Sequence, residues 1–249
     1  MHGTFTTATA VGGRSHQEDR FFIGIMEQGI LLGVFDGHGG EECSDHLAKT
    51  ALTWLYDEIS KSYKKDGAIP VQKAFKLAFA NMAKMTSDMH CGSTASIVFI
   101  PTSQRMAYVA VLGDSPVIVG KRKGFHLGPD HNARSNEEEC RAAVKRGARW
   151  DGNYLWDGYG DNAHGIQMAR AFGDKDLPFL SRVPQTYRTS ISEFVLIGTD
   201  GLFDPTHKSE TAVSNVVDLV QQGATAQQLV DNAVALPTGD NATAILWRR

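Results

Sequence analysis

The chain has 249 residues, 42% hydrophobic and 21% charged, a globular composition long enough for one large core or two small ones, and one domain over 1–249 is expected. Twenty-five Lys and Arg against 28 Asp and Glu leave a formal net charge of −3, which argues against an electrostatic nucleic-acid binder. No apolar run approaches the roughly 18 to 20 residues of a membrane span. Met1-His2-Gly3-Thr4 shows no basic-then-apolar signal, and Cys43, Cys91 and Cys140 are an odd set without paired spacing. A reducing, cytoplasmic (or nuclear) setting is therefore expected.

Thr4 to Val11 is small and β-branched and reads as a strand, with a turn at Gly12-Gly13. Arg20–Met26 and Ile30–Phe35, separated by Glu27-Gln28-Gly29, read as a hairpin. The period then changes: Leu47, Ala51, Leu52, Leu55 and Ile59 share one helical face within 41–63. Lys64-Lys65-Asp66-Gly67 breaks that helix, and Val71, Phe75, Ala78, Met82 and Met85 mark a second. Strands return at Thr94–Ile100, Met106–Leu112 and Pro116–Val119. Ser135, with Glu138 three residues on, is expected to open a helix to Arg146 through a capping box. From Gly147 to Gly165 the chain reads as an irregular surface excursion rich in Gly, Asp, Asn, Trp and Tyr. Such a long loop in a compact domain is usually functional or mobile. Phe194–Ile197 is a buried strand, 211–222 a helix stopping at Gly223, and Thr225 with Gln228 caps a helix that Pro237 ends. Ala242–Trp247 is the last strand. Strands in hairpins followed by helices in hairpins, twice over, predict an α+β domain of antiparallel sheets with helix pairs outside, not a parallel Rossmann sheet.

Four aspartates are read as ending apolar runs in the same manner, each beside a glycine: Asp36 in Val34-Phe35-Asp36-Gly37, Asp114 in Leu112-Gly113-Asp114, Asp200 in Thr199-Asp200-Gly201 and Asp240 in Gly239-Asp240-Asn241. Asp204 follows Asp200, and Glu18-Asp19 precede a strand. Each alone is ordinary turn chemistry. Brought to one end of packed sheets, they would be a costly concentration of like charge that a cation relieves. All-oxygen ligands favour Mg²⁺ or Mn²⁺ over zinc. There is no Cys-x-x-Cys, no His-Glu-x-x-His and no tight His pair. A pair of such ions about 4 Å apart activates water and clamps a phosphoryl group. Arg14, upstream of Glu18, offers a planar fork for phosphate oxygens or is simply an exposed loop arginine.

Taken together, these residues resemble the metal-dependent serine/threonine protein phosphatases of type 2C. The matching motifs are Arg14-Ser15-His16-Gln17-Glu18-Asp19, Val34-Phe35-Asp36-Gly37-His38-Gly39-Gly40, Cys91-Gly92-Ser93-Thr94-Ala95 and Leu112-Gly113-Asp114-Ser115. Pro129-Asp130-His131, Ala169-Arg170-Ala171-Phe172-Gly173-Asp174, Thr199-Asp200-Gly201-Leu202-Phe203-Asp204 and Asp240-Asn241-Ala242-Thr243 complete the series in order. The resemblance implies a four-layer α-β-β-α sandwich and hydrolysis of phosphoserine and phosphothreonine in protein substrates by a metal-bridging hydroxide, without a covalent enzyme intermediate. It implies that Asp36 bridges two Mn²⁺ or Mg²⁺ ions, that the Gly37 carbonyl ligates one, and that Asp200 and Asp240 complete the other's shell. Glu18 and Asp19 would hold metal-bound waters and Arg14 the substrate phosphate. Asp114, Asp200 and Asp204 match a weaker third metal site, and His38 matches the general acid, for which its reference pKa of about 6.5 is suited. It further implies a flap at about 147–168; a monomer is expected, and the chain reads as close to the minimal domain, without a regulatory extension.

Pro116 departs from the family in standing where an arginine is usual, and 147–168 follows the pattern only loosely. Cys140 to Arg146 formally has the Cys-x5-Arg spacing of cysteine phosphatases, but the segment is a helix former without the glycine-rich cradle that chemistry needs. A rival of another class is a pseudophosphatase, a phosphoprotein-binding or scaffold domain on the same fold. Trp150, Tyr154, Trp156 and Tyr159 form a substrate platform or pack the flap. Asn241-Ala242-Thr243 matches a glycosylation acceptor, read as coincidence without a signal peptide.

Overall fold

The computed structural model describes residues 3–203, 209–236 and 239–249. In chain order it has β1 (Thr4–Ala10), β2 (Arg20–Met26), β3 (Gly29–Phe35), β4 (Gly37–His38), α1 (Glu42–Ser60), α2 (Val71–Met85), β5 (Gly92–Ser93), β6 (Ala95–Pro101) and β7 (Met106–Leu112). It continues with β8 (Val117–Gly120), β9 (Phe125–Leu127), α3 (Glu137–Lys145), β10 (Arg149–Trp150), β11 (Leu155–Trp156), β12 (Gly165–Ile166) and β13 (Phe172–Gly173). The last elements are β14 (Gln185–Ser190), β15 (Phe194–Gly198), α4 (Asp200–Phe203), α5 (Ser209–Gln221), α6 (Ala226–Val234) and β16 (Ala242–Arg248).

Two antiparallel five-stranded sheets carry the fold, in the orders β14-β7-β6-β3-β2 and β1-β16-β15-β8-β9. They pack face to face through Leu32, Val34, Val98, Val109 and Val111 from one and Val117, Val195, Ile197, Ile245 and Trp247 from the other. The strands are apolar on both faces because each sheet also carries helices outside. α1 and α2 cover one sheet through Leu47, Ala51, Leu55, Phe75, Phe79 and Met82. α5 and α6 cover the other through Val217, Val220, Leu229 and Val230. The expected four-layer sandwich is thus observed. Among the described residues no helix is long and apolar enough to cross a membrane.

Three local expectations change. α3 begins at Glu137, and its cap is Asn136, whose side chain accepts from Glu139 N at 3.2 Å. Ser135 instead donates to Asp130 Oδ2 at 2.5 Å, so the serine hydroxyl serves the preceding turn. The stretch after Gly147 is not irregular throughout: β10, β11 and β12 form a small antiparallel sheet. Its aromatics pack the excursion. Arg149 lies 5.3 Å from the centroid of Trp156 and 5.0 Å from that of Tyr159, and Trp156 Nε1 donates to Asp151 Oδ2 at 2.8 Å. β14 carries few apolar residues and lies half-exposed at a sheet edge, so periodicity does not reveal it. Thr225 and Gln228 do form the reciprocal capping box of α6, while Pro237 lies outside the described residues.

Candidate active site

Strand register gathers the carboxylates. In the first sheet Arg20 pairs with Phe35, Val34 with Ser96, and Ala95 with Leu112. The start of β2, the end of β3, the start of β6 and the end of β7 therefore share one end of that sheet. In the second sheet Ala10 pairs with Ala242 and Gly198 with Ala244, so the start of β16 and the end of β15 also coincide. Asp19, Asp36 and Asp114 thus project from one sheet end, Asp200 and Asp240 from the other, and they meet where the sheets open.

Each position is pinned by hydrogen bonds that leave carboxylate oxygens pointing inward. Thr94 Oγ1 accepts from Asp36 N at 3.2 Å, and Thr94 N donates to Asp36 O at 2.9 Å. Asp19, 3% exposed, accepts from Thr199 Oγ1 at 2.8 Å. Glu18 Oε1 accepts from Gly40 N at 2.7 Å, and its own N–H donates to Asn241 Oδ1 at 2.8 Å. Asn241 Nδ2 donates to Val11 O and His16 O, so this buried asparagine ties the first motif to the last. Its burial also removes it as a glycosylation acceptor. Asp114 Oδ2 accepts from Asn132 Nδ2 at 2.7 Å, while Oδ1 is buried with no partner among the described residues. Asp200 opens α4 after Thr199.

The cluster is electrostatically strained. Burial, then the charges of Asp200, Asp19, Asp114 and Asp240, push the Asp36 carboxyl well above the usual range. Burial, with Asp200 and Asp240 opposing the hydrogen bonds of Thr243 and Thr199, lifts Asp19 to about 7. Burial, with Asp200 and Asp130, lifts Asp114 to about 8. The groups feel one another strongly, yet among the described residues no three His, Cys, Asp or Glu donors are drawn in closely enough to hold an ion. The donor chemistry fits a hard divalent cation: all oxygen, excess negative charge, and a buried Asp114 oxygen without a hydrogen bond. Asp204 lies outside the described residues.

Two further expected residues stand at the rim. Arg14 is half-exposed and donates from Nη2 to Asp240 Oδ2 at 2.8 Å. His38 donates from Nε2 to Asp174 Oδ2 at 2.8 Å. Burial works against the His38 imidazolium, but the hydrogen bond and charge of Asp174, with Asp114 and Glu18, outweigh it, so its pKa is raised. Gly37 is buried opposite Ser93. The structure therefore brings Arg14, Glu18, Asp19, Asp36, Gly37, His38, Asp114, Asp200 and Asp240 to one end of the sandwich. It adds Asp174, Asn241, Thr94, Thr199 and Asn132, which carry no distinctive sequence signal beyond lying within or beside the motifs. Cys140 is buried on α3, donates to Ala133 O and has its thiol pushed up by burial, which excludes the cysteine route.

The helix-flanked double sheet is shared by solved structures. A serine-threonine phosphatase 2C from Toxoplasma gondii superposes with a TM-score of 0.77 at 21% identity, covering 99% of this chain and 94% of that one. A C. elegans sex determining protein gives 0.80 at 23% identity, covering 100% of this chain and 65% of that one. These likenesses establish the fold. The family model described as protein phosphatase 2C matches residues 13–242, and the chain belongs to that family. Protein phosphatase 1K, mitochondrial, of Xenopus laevis is 28% identical over 96% of this chain and 66% of its own length. Probable protein phosphatase 2C 52 of Oryza sativa subsp. japonica is 29% identical over 94% and 48%. The chain thus spans about half to two thirds of the length of these relatives.

Proposed function

We propose that this chain is a metal-dependent protein serine/threonine phosphatase. The observation that carries the reading is the meeting of Asp19, Asp36, Asp114, Asp200 and Asp240 from two sheets, with the carboxyls of Asp19, Asp36 and Asp114 pushed upward by burial and by the neighbouring charges. Asp36, the Gly37 carbonyl, Asp200 and Asp240 would hold a pair of Mn²⁺ or Mg²⁺ ions, with Glu18 and Asp19 orienting water and Asp114 and Asp200 serving a weaker third ion. Such cations, when bound, supply an activated water as nucleophile and neutralise charge on the phosphoryl group. Arg14 would exchange its exposed contact with Asp240 for the substrate phosphate, where its planar fork matches two oxygens. His38 would protonate the departing serine or threonine oxygen, a poor leaving group as the bare alkoxide.

The test is hydrolysis of an aryl phosphate and a phosphothreonine peptide with Mn²⁺, with Mg²⁺ and with EDTA, before and after thiol alkylation. Turnover that requires the cation and survives alkylation supports the reading. A folded protein that binds phosphopeptide but turns over nothing with either cation replaces it with the pseudophosphatase reading, which the Arg14–Asp240 ion pair favours by tying up two expected site residues.

A further inference from the structure

We infer that Asp174 is the positioning residue for His38, and that the three-stranded sheet β13-β5-β4 exists to hold the pair together. The inference rests on the phosphatase reading for what His38 does, and on geometry alone for the pairing. In that sheet His38 lies opposite Gly92, and Gly92 lies opposite Gly173. The carboxylate of Asp174, just beyond β13, crosses the middle strand to reach His38 Nε2 at 2.8 Å. It can do so only because Gly92 has no side chain. A methyl there would overlap both Asp174 Oδ2 and His38 Nε2.

The backbone around Asp174 is built for this purpose. Gly173 and Asp174 both have left-handed backbones, at φ 69° and 48°, and Asp174 is the one non-glycine with positive φ among the described residues. The strained turn is tied on every side. Asp174 N donates to Cys91 O at 3.1 Å, Lys175 N to Met89 O at 3.0 Å, and Leu177 N to Asp174 O at 2.9 Å. Arg182 Nη2 donates to Gly173 O at 2.5 Å and to Asp174 O at 3.1 Å. Asp174 is 5% exposed and its carboxylate meets the histidine, so the buried charge has its partner there. With Nε2–H committed to Asp174, Nδ1 is the ring nitrogen left to pass a proton on. It is buried and has no partner among the described residues. The arrangement fixes the tautomer and the plane of the ring, the service a carboxylate gives a histidine base elsewhere in acid–base catalysis.

Two measurements test it. In the metal-free, ¹⁵N-histidine-labelled chain, the His38 Nε2–H proton should be a downfield resonance protected from exchange, assigned by its absence in His38→Gln. It should vanish in Asp174→Ala and persist in Asp174→Asn, whose amide oxygen still accepts. A His38 signal unchanged in Asp174→Ala overturns the pairing. In the Mn²⁺-loaded enzyme, Asp174→Ala should lower kcat on the phosphothreonine peptide by about 10- to 100-fold and on an aryl phosphate by less than about 3-fold, because an aryl leaving group needs little protonation. Asp174→Asn should recover most of the loss. The double variant with His38→Ala should be no worse than His38→Ala alone. Equal losses on both substrates in Asp174→Ala, while His38→Ala remains selective, overturn the positioning role. Equal losses in His38→Ala itself overturn the proton-donor reading, and the resonance then decides the pairing by itself.

Discussion

Thr199 offers a clean perturbation of how the cluster is supported. It is fully buried between the sheets' open end and β16, and its hydroxyl does two things. It donates to Asp19 Oδ2 at 2.8 Å, and it accepts from Thr243 N at 3.0 Å. Thr199→Val keeps the shape and removes both. A hydrogen bond to a charged acceptor contributes about 1.5–3 kcal/mol, and a buried N–H left without an acceptor costs about 1–3 kcal/mol more. The added methyl returns less than about 1 kcal/mol of this. The expected destabilisation is therefore about 3 kcal/mol, or a fall in Tm of roughly 6–12 °C for a chain of this size. Thr199→Ser keeps the oxygen, loses one methyl, and should cost only about 1 kcal/mol. Guanidinium unfolding of the three proteins in EDTA reads the difference, and calorimetric titration with Mn²⁺ reads the consequence for the site. Thr199→Val should bind the ion more weakly, because Asp19 keeps the hydroxyl of Thr243 but loses that of Thr199, one of the two that orient it. If Thr199→Val loses no more stability than Thr199→Ser, Asp19 is not held by this hydroxyl, and the account of the site's scaffolding is wrong.

In EDTA, stability should fall as pH rises from about 4 to 8. Asp19 and Asp114 sit at about 7 and about 8 when folded, above the ordinary carboxylate value, so the folded state binds more protons than the unfolded and is stabilised below that range. Mn²⁺ should reverse the trend, and a flat profile without metal would show that burial and like charge do not raise these two carboxyls. Arg14→Ala breaks an ion pair whose guanidinium is half-exposed, so stability should change by less than about 1 kcal/mol while KM rises and inhibition by inorganic phosphate weakens. An unchanged phosphate inhibition constant would remove Arg14 from phosphate binding. Asn241→Ala deletes the anchor of Glu18 N, Val11 O and His16 O, and should cost about 2–4 kcal/mol in chemical denaturation. Asn136→Ala should cost about 1 kcal/mol and Ser135→Ala less, since Asn136 is the α3 cap. The reverse order would restore the serine.

Much of this protein is written in local pattern. The apolar runs of β3, β6, β7 and β15 and the helical stripes of α1 and α2 announce themselves, because each buries a face large enough to dictate its period. The residues Asp36, Asp114, Asp200 and Asp240 could be singled out for the same reason: each adjoins a run whose position is fixed by burial. The half-exposed edge strand β14 and the two-residue strands β4, β5 and β13 could not be read, since they bury too little of their own to impose a pattern. What the sequence by itself determined was the set of layers and the oxygen-donor chemistry of the site. Only tertiary structure decided which oxygens meet and what holds them. Strand register across two sheets brings Asp19 to Asp200, and Thr199 and Asn241 fasten segments nearly the whole chain apart. The His38–Asp174 pair depends on a left-handed turn and on the space above Gly92, both of which come into being only when three short strands lie side by side.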